Sequence, residues 1–82
     1  MADATQHVFS HQQLATILIK DQNIHEGLWM MQYRFAIGGA NVGPNAQELN
    51  PAAIVPITSV ALARAPEPNG LTVDAAKVNP AT

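Results

Sequence analysis

Cysteine is absent from this chain, so neither a disulfide framework nor a thiolate zinc site can staple it, and thiol chemistry says nothing about its compartment. Charge is scarce too. Charged residues are 12% of the sequence, about half the usual share, and the four basic ones, Lys20, Arg34, Arg64 and Lys77, stand singly along it. Gripping a nucleic-acid backbone takes a basic stripe that displaces counterions. Four scattered cations in a chain of net charge −2 do not form one, so no nucleic-acid partner is expected and a basic-patch binder ranks last among the readings. Long apolar runs are also missing. Lys20, Arg34, Arg64 and several prolines interrupt every stretch before about 18 apolar residues accumulate, so no membrane helix is expected. The opening residues Met1 to His7 lack the basic-then-apolar order of a secretory signal, and a cytoplasmic location is the expectation that follows.

A domain of 82 residues buries only about 60 to 65% of its unfolded surface, so its own core is expected to be marginal. With disulfides excluded, a partner chain is the remaining source of stability. Yet 48% of the residues are hydrophobic, which is more apolar surface than one small domain readily hides.

The richest stretch is Gly27 to Ile37, which holds the aromatics Trp29, Tyr33 and Phe35. Read with a period of two, Trp29, Met31, Tyr33, Phe35 and Ile37 share one face, and Leu28, Met30, Gln32, Arg34 and Ala36 the other. This is the central strand of the expected fold. Upstream, Ser10 and Gln13 form a capping-box pair, with Phe9 and Leu14 set to staple across it. A helix is expected from His11 to about Gln22, with Asn23 as a left-handed stop. Leu14, Ala15, Ile17 and Leu18 give it an apolar side, and Leu14, Ile17 and Leu18 should meet Trp29, Tyr33 and Phe35.

Gly38-Gly39 is read as the end of the strand, and residues 40–51 as a loop rich in Gly, Pro and Asn. A second strand is expected within 52–64, regular over Ile57 to Ala63, with Pro56 marking an edge or a bulge. Leu71-Thr72-Val73 is a candidate third strand pairing with it. The resulting fold class is α+β: one N-terminal amphipathic helix on a small, mainly antiparallel sheet of two or three strands. The organisation is a frayed start over 1–6, one domain over 7–76 and a disordered tail over 77–82.

Strand 52–64 is apolar on both sides under strict alternation, with Ile54, Val60 and Leu62 on one and Val55, Ile57, Ala61 and Ala63 on the other. One helix covers one side of such a sheet. The uncovered side, with Leu28, Met30, Arg34, Val55 and Ile57 as candidate interface residues, points to a homo-oligomer or a protein partner. For chemistry the sequence offers less. His7 and His11 could pair on a helix face, but a cap at Ser10 leaves His7 outside it, and no third ligand is evident. His11 is expected to be partly buried. His25 and Glu26, next to Gly27 and Trp29, with Arg34 as a possible anion clamp, form the alternative, a small-ligand or catalytic site. No serine or threonine sits in a nucleophile elbow. No cofactor is implied. The expected function is a non-catalytic interaction or assembly module working through an apolar sheet face.

Overall fold

The computed structural model describes residues 5–81. The chain runs α1 (His11–Asp21), β1 (Leu28–Phe35), β2 (Gly38–Val42), β3 (Asn50–Ile54), β4 (Ile57–Arg64), β5 (Val73–Asp74) and α2 (Ala75–Val78). Its class is α+β, with the main helix near the start and two antiparallel sheets, β4-β1-β5 and β2-β3.

α1 begins as its capping residues dictate. Ser10 is extended, its Oγ accepts from Gln13 N at 3.0 Å, and Gln13 Oε1 accepts from Ser10 N at 2.8 Å. Two of the otherwise unpaired amides at the helix start are thereby satisfied. Asn23, with φ of 58°, turns the chain out of the helix. Replacing Ser10 by Ala is expected to cost about 1 kcal/mol of stability, read as a lower urea midpoint with an unchanged slope. The second special backbone is Gly27, with φ of 96°. A Cβ there would lie 2.5 Å from Arg64 Nε, so glycine both permits the turn into β1 and leaves room for the guanidinium.

The helix packs on the base of β1. Ala15, Ile19, Met31, Val73 and Ala75 form the buried cluster, and Leu14, Leu18, Ile24, Trp29, Tyr33, Leu62 and Val78 close around it. Leu14 and Leu18 therefore pack against the same buried cluster as Trp29 and Tyr33. Ile17 and Phe35 do not join them, being 48% and 58% exposed. The buried stripe is centred on Ala15 and Ile19, and Ile17 lies about 200° around the helix from each. Phe35 lies beyond the reach of a helix of 11 residues, roughly 16 Å long.

The long loop expected over 40–51 is instead the far half of a ribbon. β2 and β3 pair antiparallel from Gly38↔Ile54 to Val42↔Asn50, and only 43–49 remain as a tip. Gly38 and Gly39 do not end the strand, because neither takes a positive φ. Pro51 fits the ladder because its missing N–H points away from the partner strand. At the tip, a Cβ on Gly43 would collide with the Glu48 carbonyl, so only bare backbone closes this turn. Ala36 N donates to Pro56 O at 3.1 Å across the junction of the two sheets. The ribbon is thus continuous, 28–42 against 50–64, roughly 50 Å long.

β5 also differs from expectation. It pairs with β1 through Leu28↔Asp74 and Trp29↔Val73, not with the 52–64 strand, and this makes β1 the central strand at its base. The placement follows burial: on that edge Val73 and Ala75 close the core against α1. Gln12 Nε2 secures the approach by donating to Gly70 O at 3.1 Å. The tail expected to be disordered from 77 is ordered at its start. Lys77 and Val78 complete α2, and Asn79 bonds back to Ile24 and His25. Of the frayed start, residues 1–4 lie outside the described range, as does Thr82.

The molecule is a small head carrying an arm. Its extents are 65 × 42 × 20 Å and its radius of gyration is 19.0 Å, against about 12 Å for a compact chain of this length. From residue 34 to residue 60 no residue is buried, and only Ala40 is even half-buried.

Candidate functional site

The polar candidates are held apart by the fold. His25 lies in the loop before β1, where its Nδ1–H donates to Asn79 O at 2.9 Å, while Asn79 Nδ2 donates to Ile24 O at 2.8 Å. Glu26 is exposed, and its backbone carbonyl accepts from Trp29 Nε1 at 2.9 Å. Arg64, not Arg34, stacks over the Trp29 ring, 5.7 Å from its centroid. Arg34 is five residues further along the strand, roughly 16 Å away, on the opposite side from Trp29. His25, Glu26 and Trp29 are thus neighbours engaged in local bonds, and Arg34 is not among them. His11 is exposed, not partly buried; its Nδ1 lies 3.0 Å from Tyr33 Oη, and the two rings meet edge to face. His7 is exposed outside the helix. Among the described residues no three potential metal ligands lie together, and no pocket opens.

This geometry gives His25 a structural part, joining the C-terminal segment to the loop before β1. Replacing it by Ala leaves a half-buried Asn79 carbonyl without its donor and is expected to cost about 1 kcal/mol. A urea titration of the variant reads that loss.

The apolar surface is concentrated. Along β1 and β4 the paired residues run Trp29↔Arg64, Met31↔Leu62 and Tyr33↔Val60, and then Phe35↔Ile57, the register shifting between Arg34 and Phe35. That shift is a bulge: Thr58 is the extra residue, its Oγ1 donating to Arg34 O at 3.2 Å. From Phe35 outward the register continues without a further slip, through Ala36 opposite Pro56 to Gly38↔Ile54. One face of the ribbon therefore carries Tyr33, Phe35 and Ile37 from one strand and Val60, Ile57 and Val55 from the other. The same face is covered by α1 at its base. Beyond the helix it is bare, with Phe35, Ile37, Val55, Ile57 and Val60 all between 51% and 82% exposed.

The other face carries Arg34, Ser59, Ala36, Gly38, Ala40 and Ala52, small or polar except for Pro56, Ile54 and, near the tip, Val42. The five candidate interface residues divide between the two faces. Val55 and Ile57 lie on the bare apolar one. Leu28 and Met30, both half-buried, and Arg34, exposed, lie on the other. Strict alternation also places Val60 opposite Ile57; the bulge brings them together. Phe35 and Ile37 belong to the bare row, and the signal for them was the period-two run from Trp29 to Ile37. Nothing in the sequence marks Thr58 as the residue at which the phase changes.

No helix among the described residues is long and apolar enough to cross a membrane. The chain has no match among protein-family models, curated proteins or solved structures. The geometry defines a cysteine-free α+β head bearing a two-stranded arm with one bare apolar face.

Proposed function

We propose that this chain is a non-catalytic assembly module that associates with a second copy of itself through the bare face of its arm. The observation that carries this proposal is the row Phe35, Ile37, Val55, Ile57 and Val60, exposed together on one side of an arm, 34–60, that buries nothing of its own. An isolated two-stranded ribbon is marginal in water, so an arm of this length calls for something to lie against. The row presents on the order of 500 Å² of apolar surface, at the upper end of what monomers display. Two such rows face to face remove about 1,000 Å² from water, the lower bound for a specific interface.

A second copy is favoured over a foreign partner by charge. Between residues 34 and 60 the only charged side chains are Arg34 and Glu48, so two arms meet with almost no like-charge repulsion. The test is the native mass by light scattering behind size exclusion across a dilution series. The reading expects a mass above 8.7 kDa that falls toward it on dilution. A monomer at high micromolar concentration that still binds an apolar dye would assign the face to a different protein.

A further inference from the structure

Resting on that reading, we infer that copies of this chain also join main chain to main chain, through the outer edge of β2, antiparallel and centred on Gly39. The arm has two edges, and they are not equivalent. Hydrogen-bond parity along the β1–β2 strand is fixed by bonds at three places. Leu28 O accepts from Ala65 N on the β4 side, Gly27 O accepts from Ala75 N on the β5 side, and Ala36 N donates to Pro56 O. Even-numbered residues therefore bond inward to β4 and β3, and odd-numbered ones turn their N–H and C=O outward. At the base this outward edge is used by β5; further out, Ile37, Gly39 and Asn41 have no partner strand among the described residues. On the opposite edge the outward positions are Val55, Ala53 and Pro51, and proline has no N–H to give.

Proline blunts the β3 edge while the β2 edge keeps every donor and acceptor, the usual mark of an edge not protected against strand addition. The β2 edge is also self-complementary. In an antiparallel pair about Gly39, Gly39 faces its own counterpart, and Ile37 faces Asn41 of the other copy, so each outward residue meets an outward residue. Charge agrees. Arg34 sits at the root of the arm and Glu48 at its tip, and the antiparallel arrangement lays the root of one arm beside the tip of the other. A parallel arrangement would set Arg34 beside Arg34. Area allows both contacts. The accessible surface is 6398 Å², about 1,700 Å² above the expectation for a compact chain of this mass. A standard interface uses about 800 Å² per partner. Edge and face use different groups, so one chain can make both contacts at once.

Amide hydrogen exchange on the associated wild-type protein tests the edge. Ile37, Gly39 and Asn41 should exchange about tenfold or more slowly than Ala53 and Val55, which belong to the same arm and report any protection that face packing alone confers. Equal rates in a protein that still associates would overturn the edge contact and leave the face reading standing. A monomer at every concentration would overturn both. The register has its own test: Arg34→Glu should weaken association about fivefold to tenfold, and Arg34→Glu with Glu48→Arg should restore it. A double variant as weak as the single one would contradict the antiparallel pairing.

Discussion

Ile57→Glu is expected to weaken face-to-face association on the order of a hundredfold, while Ile54→Glu, three residues away, changes it little. Both side chains are exposed, 60% and 52% respectively, so neither substitution disturbs the core of the head. They differ in the face they occupy. Ile57 is opposite Phe35 in the bare row, whereas Ile54 is opposite Gly38 on the face of small residues. A carboxylate carried into an apolar interface without a partner loses its hydration, a penalty of several kcal/mol. About 2.7 kcal/mol already corresponds to a hundredfold in affinity. The comparison of masses on dilution separates this from any general effect of added charge. Equal weakening by both variants would mean that association does not discriminate between the faces.

Ile19→Ala is expected to unfold the head at low concentration. Among the described residues Ile19 is the one large side chain with no exposure, in a core otherwise made of Ala15, Met31, Ala65, Val73 and Ala75. Truncating a buried Ile costs about 2 to 5 kcal/mol, because the lost transfer energy is joined by the cavity left behind. A domain of this length has about 4 to 12 kcal/mol in total, and an arm without buried residues adds little to it. Association stabilises whatever binds only when folded, so the midpoint of Ile19→Ala should rise with protein concentration. Far-ultraviolet circular dichroism across a thermal ramp, repeated at two concentrations, reads both effects. A variant that melts within a few degrees of the parent at both would show that the arm, not the α1–β1 cluster, carries the stability.

The head was legible because its signals are local. Ser10 with Gln13, the left-handed Asn23 and the alternation from Trp29 to Ile37 each act over a few residues, and the structure realises each of them. The arm was not. Gly38-Gly39 and Pro51 are breakers by composition, yet these two glycines lie in β2, and Pro51 occupies a ladder position where a missing N–H costs nothing. Those are tertiary facts about register. The bulge at Thr58 belongs with them, since it is defined by the pairing of Arg34 and Phe35 with a strand more than twenty residues away. The surplus of apolar surface could be counted from the sequence, but the face on which it collects could not. His25 is the converse case: its neighbours in sequence suggest chemistry, and its bond to Asn79 ties it to the C-terminal segment.

A chain without cysteine offers the most direct test, because any introduced thiol is unique. Val55→Cys and Ile54→Cys place one on each face of the arm, at side chains that are 51% and 52% exposed in the single chain. The measurement is the rate of maleimide labelling at high and at low protein concentration. Position 55 should label slowly and position 54 fast in the concentrated protein, with the difference vanishing on dilution. Equal rates at both concentrations would mean that the row from Phe35 to Val60 is never covered by a second copy, and that the chain does not assemble through this face.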